Sequence, residues 1–260
     1  MPATIPSHQA AVLPIKLAWP RRVDGIALVI GSVAPDLAYA FYPWWPFGST
    51  HDPGSLLWWS APVAAALALI VRYVALPHAA LCLPDLGRWH LRDYATSADV
   101  PFRPVITAAS ALLGAATHVG WDYFTHPGDL TQWIPGLLAA SPLGPPWYKV
   151  LQYGGGALGL IVTLWCVTHI GRHRLLLRWH GTVPGPARYP TLWWTVALGV
   201  AAPLAVSAVT ARDAEYPHIL VNRGLWIAMV ASVVAGAVVA VRRRRPRSVS
   251  SARVVVNPSR

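Results

Sequence analysis

Long apolar runs alternate with short polar connections along this chain, and the alternation predicts helices that cross a membrane. Runs over residues 23–42, 56–76, 105–121, 154–170, 191–209 and 225–241 fall in the range of about 17–25 residues that a crossing helix needs. The connections have two characters. One set carries Arg21 and Arg22, then Arg88, Arg92 and Arg103, then Arg172, Arg174, Arg178 and Arg188, then Arg242, Arg243, Arg244, Arg245 and Arg247. The other set, over 43–55, 123–153 and 210–224, is poor in arginine. The two sets alternate from Arg21 onward, so the positive-inside rule gives six spans with the arginine-rich loops and the C-terminus in the cytoplasm. A shorter run, 10–19, precedes them and is interrupted by Pro14. Ser7 reads as its N-cap, with His8 in the first turn, and the segment is barely long enough to cross. The fold class is therefore all-α: a polytopic transmembrane helical bundle of six spans plus a short N-terminal helical segment. It forms one domain over 1–241, followed by a basic, disordered tail at 242–260.

Composition sharpens this picture. Of 260 residues, 55% are hydrophobic and 12% charged, and the mean hydropathy of +0.43 excludes an ordinary soluble domain. The formal charge of +11 is clustered beside apolar runs instead of lying along one face, which argues against nucleic acid as partner and for a lipid bilayer. Many of the 14 tryptophans stand at run ends (Trp44, Trp45, Trp58, Trp59, Trp121, Trp147, Trp193, Trp194 and Trp226), as interfacial anchors do. Cys82, in a loop, and Cys166, in a run, are expected as free thiols. No cleavable signal peptide is evident at the N-terminus.

Against this apolar background a few ionisable groups stand out. His118, Asp122 and His126 recur every fourth residue, which places them in one stripe on a helix. Gly114, Ala115 and Gly120 would let other backbone approach it. Asp36 follows Pro35 inside a run, where an aspartate costs about 2.5–3.5 kcal/mol without a partner. The loop topology puts Asp36, His51, His118, Asp122 and His126 on the same, outer, side, and His8 joins them if segment 10–19 crosses. Imidazole and carboxylate are the donors that zinc and similar divalent ions take. Candidate metal ligands are thus His8, Asp36, His51, His118, Asp122 and His126, with Asp36 and Asp122 also catalytic candidates and Asp36 the bridging ligand or general base. His126 is the weakest, because Pro127 ends the helix beside it. Tyr148 and Gln152 are either pocket-lining or interfacial. His78, His90, His169, His173 and His180 read as surface or helix-end residues, and Asp213, Glu215 and His218 as a solvated outer loop.

Residues 6–14 (Pro-Ser-His-Gln-Ala-Ala-Val-Leu-Pro), 30–36 (Ile-Gly-Ser-Val-Ala-Pro-Asp), Thr50-His51, 114–126 and 147–156 resemble the bacterial membrane family known as domain of unknown function 4184. The pattern is similar to that of small membrane proteins labelled metal-dependent hydrolases and, more distantly, of the all-helical zinc-dependent phospholipase C and single-strand nuclease enzymes. That resemblance implies a bacterial cytoplasmic membrane protein with one or two divalent ions, zinc first among them, in a hydrolase; the outer-side location of the site then suits a lipid-linked phosphoester at the extracytoplasmic headgroup level. The N-terminal tryptophan ligand and the His-x-x-x-Glu of the soluble enzymes have no counterpart here, which speaks against a three-zinc cluster. The competing expectations are a transporter with an Asp36/His118 proton relay and a non-catalytic membrane protein.

Overall fold

The computed structural model describes residues 4–44, 48–101, 103–128, 131, 133–186 and 189–244. Trp45, Arg188, Arg245, Arg247 and the tail beyond them lie outside these. The described residues are helical, without a β-strand, so the all-α expectation holds.

Among the described residues the candidate spans number four, not the six expected. Four helices are long and apolar enough to cross a membrane: α3 (Leu56–Cys82), α5 (Trp147–Arg172), α7 (Pro190–Thr210) and α8 (Pro217–Arg243, continuing to Arg244). Among the other described helices are α1 (Thr4–Ala18), α2 (Gly25–Gly31), α4 (Pro104–Thr125) and α6 (Leu175–His180), with a 3-10 helix at Leu91–Asp99 and shorter turns besides. Run 23–42 fails as a span because it does not fold as one helix. Pro35 has no N–H to return to Gly31, and the chain tightens into three-residue turns (Ala34 N to Gly31 O, Asp36 N to Val33 O) that pass into a 3-10 segment, Asp36–Phe41. Run 105–121 does become a helix, α4, but Thr107, Ser110, Thr117, His118 and Asp122 hold its apolarity below that of the other four.

Other boundaries also moved. α1 begins at Thr4 and runs through Pro14, so Ser7 is not its N-cap and His8 lies in the second turn. Cys82 closes α3 instead of sitting in a loop. Both prolines inside α3 are absorbed by π-turns: Ala61 N reaches back to Leu56 O just before Pro62, and Leu76 N to Val71 O just before Pro77. α8 starts at Pro217, which cuts the expected 210–224 loop to 211–216 and makes His218 a helical residue.

Small residues set the packing. Ala27, Ala34, Ala64, Ala68 and Ala111 join α2, α3 and α4, and Ala79, Trp193, Ala197, Ala231, Ala235 and Val239 join α3, α7 and α8. Trp193 is buried there, not interfacial. Gly31 and Gly114 are where α2 and α4 touch backbone to backbone: a Cβ on Gly114 would collide with Leu28 O and Ser32 N, and one on Gly31 with Ala111 O. On α5, Gly155 makes room for the Trp121 ring and Gly159 for Ser7, whereas Gly120 has open space around it. The result is a central α1–α2–α4 group flanked by α3 and α5, with the α7–α8 pair on the far side of α3.

Candidate metal centre

The end of α2 and the 3-10 segment after it hold Asp36 by an unusual degree of external support. Backbone that leaves the helical ladder in an apolar setting needs partners for its carbonyls, and six of them, including Ala40 O from Arg223 Nε (3.3 Å), receive a side-chain donor from elsewhere. Ser32 O accepts from His118 Nδ1 (2.8 Å), Ala34 O from Trp59 Nε1 (3.0 Å), Pro35 O from Thr50 Oγ1 (2.8 Å), Leu37 O from Trp226 Nε1 (3.0 Å), and Tyr42 O from Arg223 (2.8 Å). Arg223 is itself fixed by Asp213, at 2.7 Å. The loop bearing His51 is pinned in turn by Ser55 Oγ, which donates to Thr50 O (2.6 Å).

Against this frame α4 presents His118 and Asp122, and the four side chains converge. His51 Nε2 is 3.2 Å from Asp36 Oδ1 and 3.6 Å from Asp122 Oδ2; His118 Nε2 is 3.3 Å from Asp122 Oδ2 and 3.6 Å from Asp36 Oδ1. His8 stacks on the His118 ring at 4.0 Å between centroids. Two sets, His8/His118/Asp122 and Asp36/His51/His118, have donor atoms within 4.8 Å of one another. Of the six candidate ligands, the structure thus brings five together. His126 stands at the edge. It caps α4 in an extended conformation, with Nδ1 3.5 Å from Asp122 Oδ1 and Nε2 3.0 Å from Gln152 Nε2. It belongs to neither set.

These donors fit a divalent ion. Because Ser32 O can only accept, His118 Nδ1 must carry the proton in that bond, which points Nε2 at two carboxylates. That nitrogen is fully buried and makes no hydrogen bond. With two carboxylate oxygens 3.3–3.6 Å away, positive charge must lie between them, either a proton on Nε2 or a metal ion in its place. Separations of 3.2–3.6 Å also match the tetrahedral edge, about 3.4 Å, that metal–ligand bonds of roughly 2.0–2.1 Å generate.

Charge follows the same geometry. Burial would raise the Asp36 carboxyl, but His118 and His51 facing it hold it well below the usual carboxylate range. Burial pushes His8 down to about 4, with His118 adding to the effect, so its imidazole is neutral and able to ligate. Tyr39, whose ring is 5.6 Å from His51, is pushed up to about 12 by burial and by Asp36 and Asp122, and stays a phenol. His218 meets the far side of Tyr39 edge-on at 5.3 Å, so it reaches the margin of the centre instead of a solvated loop.

Several supporting residues were not foreseen: Ser32, Thr50, Trp59, Arg223 and Trp226 all act on backbone carbonyls, which leave no side-chain pattern to read. Gln152, weighed as either pocket-lining or interfacial, is buried against His126.

A family model described as "Domain of unknown function (DUF4184)" matches residues 1–242. No curated protein and no solved structure matches the chain.

Proposed function

The chain belongs to the DUF4184 family, and from that premise we propose that it is a membrane-bound, metal-dependent hydrolase whose centre is built by His118, Asp122, Asp36 and His51, with His8 completing it. The observation that carries this reading is the buried, unbonded Nε2 of His118 directed at Asp36 and Asp122. Both donor sets share that one nitrogen, which favours a single ion, zinc first among the candidates.

A divalent ion with an open position would supply Lewis acidity and a bound water of pKa near 7. The chain's own part is to hold and to move protons. The carboxylate of Asp36, kept ionised, would help hold such an ion and would be the nearest acceptor for a proton leaving its water. Asp122, gripped between His118 and His126, orients the ligand sphere, and Gln152 fixes the His126 ring in turn. Tyr39 at the rim offers a phenol donor to a leaving oxygen.

In this reading α4 crosses as well. It turns its polar side (Thr107, Ser110, His118) inward, while α2 and the 3-10 segment form a half-crossing. The arginine-rich loops then face the cytoplasm, and the centre opens at the outer headgroup level, where a lipid-linked phosphoester is the fitting substrate class.

The decisive measurement is elemental analysis of the detergent-purified protein. About one equivalent of zinc, manganese or iron is expected, lost in the His118→Ala/Asp122→Ala variant. Substoichiometric metal that the substitutions leave unchanged would remove the hydrolase reading in favour of a metal-free Asp36/His118 proton relay.

A further inference from the structure

A second cavity, of about 580 Å3, lies at the opposite end of the α1–α2–α4 group. Its size falls within the roughly 300–1,000 Å3 of small-molecule pockets. It is distinct from the metal centre: Thr107, in its wall, precedes His118 by eleven residues of the same helix, about 16 Å along the axis.

Its lining divides by chemistry. Leu13, Val29, Ile30 and Ile106 make an apolar body, and Lys16, Arg21 and Arg103 stand at one end. Asp24 is the one carboxylate among the described lining residues, and it is already saturated. It caps α2 through Ile26 N and Ala27 N, accepts from Thr107 Oγ1 (2.7 Å) and pairs with Arg72. The remaining positive charge is therefore uncompensated. Lys16 spends two of its three donors on Pro20 O and Val23 O (2.6 and 3.0 Å), leaving the third for a ligand. Arg21 and Arg103 are exposed. Three lining residues also carry buried polar atoms without a partner: Arg72 Nε, on a side chain 6% exposed, Gln9 Oε1 and Ser97 Oγ. A buried guanidinium N–H with nothing to accept it is a request for an oxygen.

We infer that this cavity binds an anionic phospholipid, with one acyl chain along Leu13, Val29, Ile30 and Ile106 and the phosphate at Lys16, Arg21 and Arg103. An ester carbonyl below the phosphate supplies the acceptor for Arg72 Nε. Basic pockets between membrane helices hold such headgroups through charge, and the apolar wall adds the burial of the chain. The inference is independent of the metal reading, because none of these residues belongs to that centre.

The full-length protein in phosphatidylcholine nanodiscs provides the test. The probe is phosphatidylglycerol carrying a photoreactive diazirine in one acyl chain, compared with a phosphatidylcholine probe of identical chains, and adducts are mapped by mass spectrometry. Phosphatidylglycerol adducts should concentrate on α1, α2 and α4 at the cavity wall. Arg21→Gln and Arg103→Gln, both surface changes, should each weaken labelling about fivefold, and Ile106→Trp should fill the cavity and abolish it. His118→Ala/Asp122→Ala should leave labelling unchanged. Equal labelling by the two headgroups, adducts spread evenly over all lipid-facing helices, or indifference to the arginine substitutions would overturn the assignment. Displacement of the probe by inorganic phosphate would overturn the lipid and assign the cations to a soluble anion.

Discussion

At the scale of single residues, what decides the candidate centre is which atom of a side chain is already spoken for. His118 is informative because Ser32 O claims Nδ1 and leaves Nε2 aimed at carboxylates; an unclaimed imidazole at the same position would say little. The same scale separates two glycines that look alike in the chain. Gly114 sits where α4 meets the α2 backbone, and an alanine Cβ there has nowhere to go, whereas Gly120 has nothing within 4 Å. Gly114→Ala should therefore destabilise by about 1–3 kcal/mol through overpacking. Gly120→Ala should be neutral or stabilising by about 0.5–1 kcal/mol, the usual gain from removing a helical glycine. Thermal unfolding of the two variants in one detergent checks the pair, and a similar Tm loss for both would contradict the packing account. Their spacing in the sequence placed both glycines beside the stripe. Only the partner helix, which no local pattern encodes, tells them apart. The candidate ligands were legible for the opposite reason: an ionisable group in an apolar run is costly enough that its presence alone marks it.

Elements were legible where apolarity and helix length coincide, and misread where they do not. Run 23–42 is as apolar as a span, yet Pro35 and the 3-10 turns after it divide it, because hydropathy measures solvent preference and not whether a helical ladder is continuous. The cost of that break is met by donors from five other places in the chain, Thr50, Trp59, His118, Arg223 and Trp226. The other end of α2 is held differently. Asp24 is its N-cap and also the buried counter-ion of Arg72 on α3, with side-chain exposures of 5% and 6%, so one carboxylate ties α2, α3 and α4 together. Neither residue advertised the pair, since they are 48 positions apart. Asp24→Asn preserves much of the cap and strands the guanidinium, and a loss of about 3–5 kcal/mol is expected from an uncompensated buried charge. Adding Arg72→Met should recover most of it. A double variant no more stable than Asp24→Asn alone would show that the pair is not what couples these helices.

Over the whole molecule, the candidate metal centre and the cavity lie at opposite ends of the same three-helix group, and the loops near them differ in charge. Residues 48–55 and the 139–146 loop lie on the side of the candidate metal centre. The connections carrying Arg21, Arg103 and Arg178 lie on the side of the cavity. On the proposed topology a bilayer around the four apolar helices would separate these ends, with the arginine-rich, cavity end on the cytoplasmic side. The assignment can be read with single cysteines. Cys82 and Cys166 are free thiols and can be replaced by serine. Leu143 and Val183, 78% and 79% exposed, then report the two sides as Leu143→Cys and Val183→Cys. In intact cells an impermeant maleimide should label Leu143→Cys at once and Val183→Cys only after the membrane is opened. The reverse order would place the metal centre in the cytoplasm, where a lipid-linked substrate exposed to the outside could not reach it. Labelling of both in intact cells would mean that the two ends are not separated by a bilayer at all.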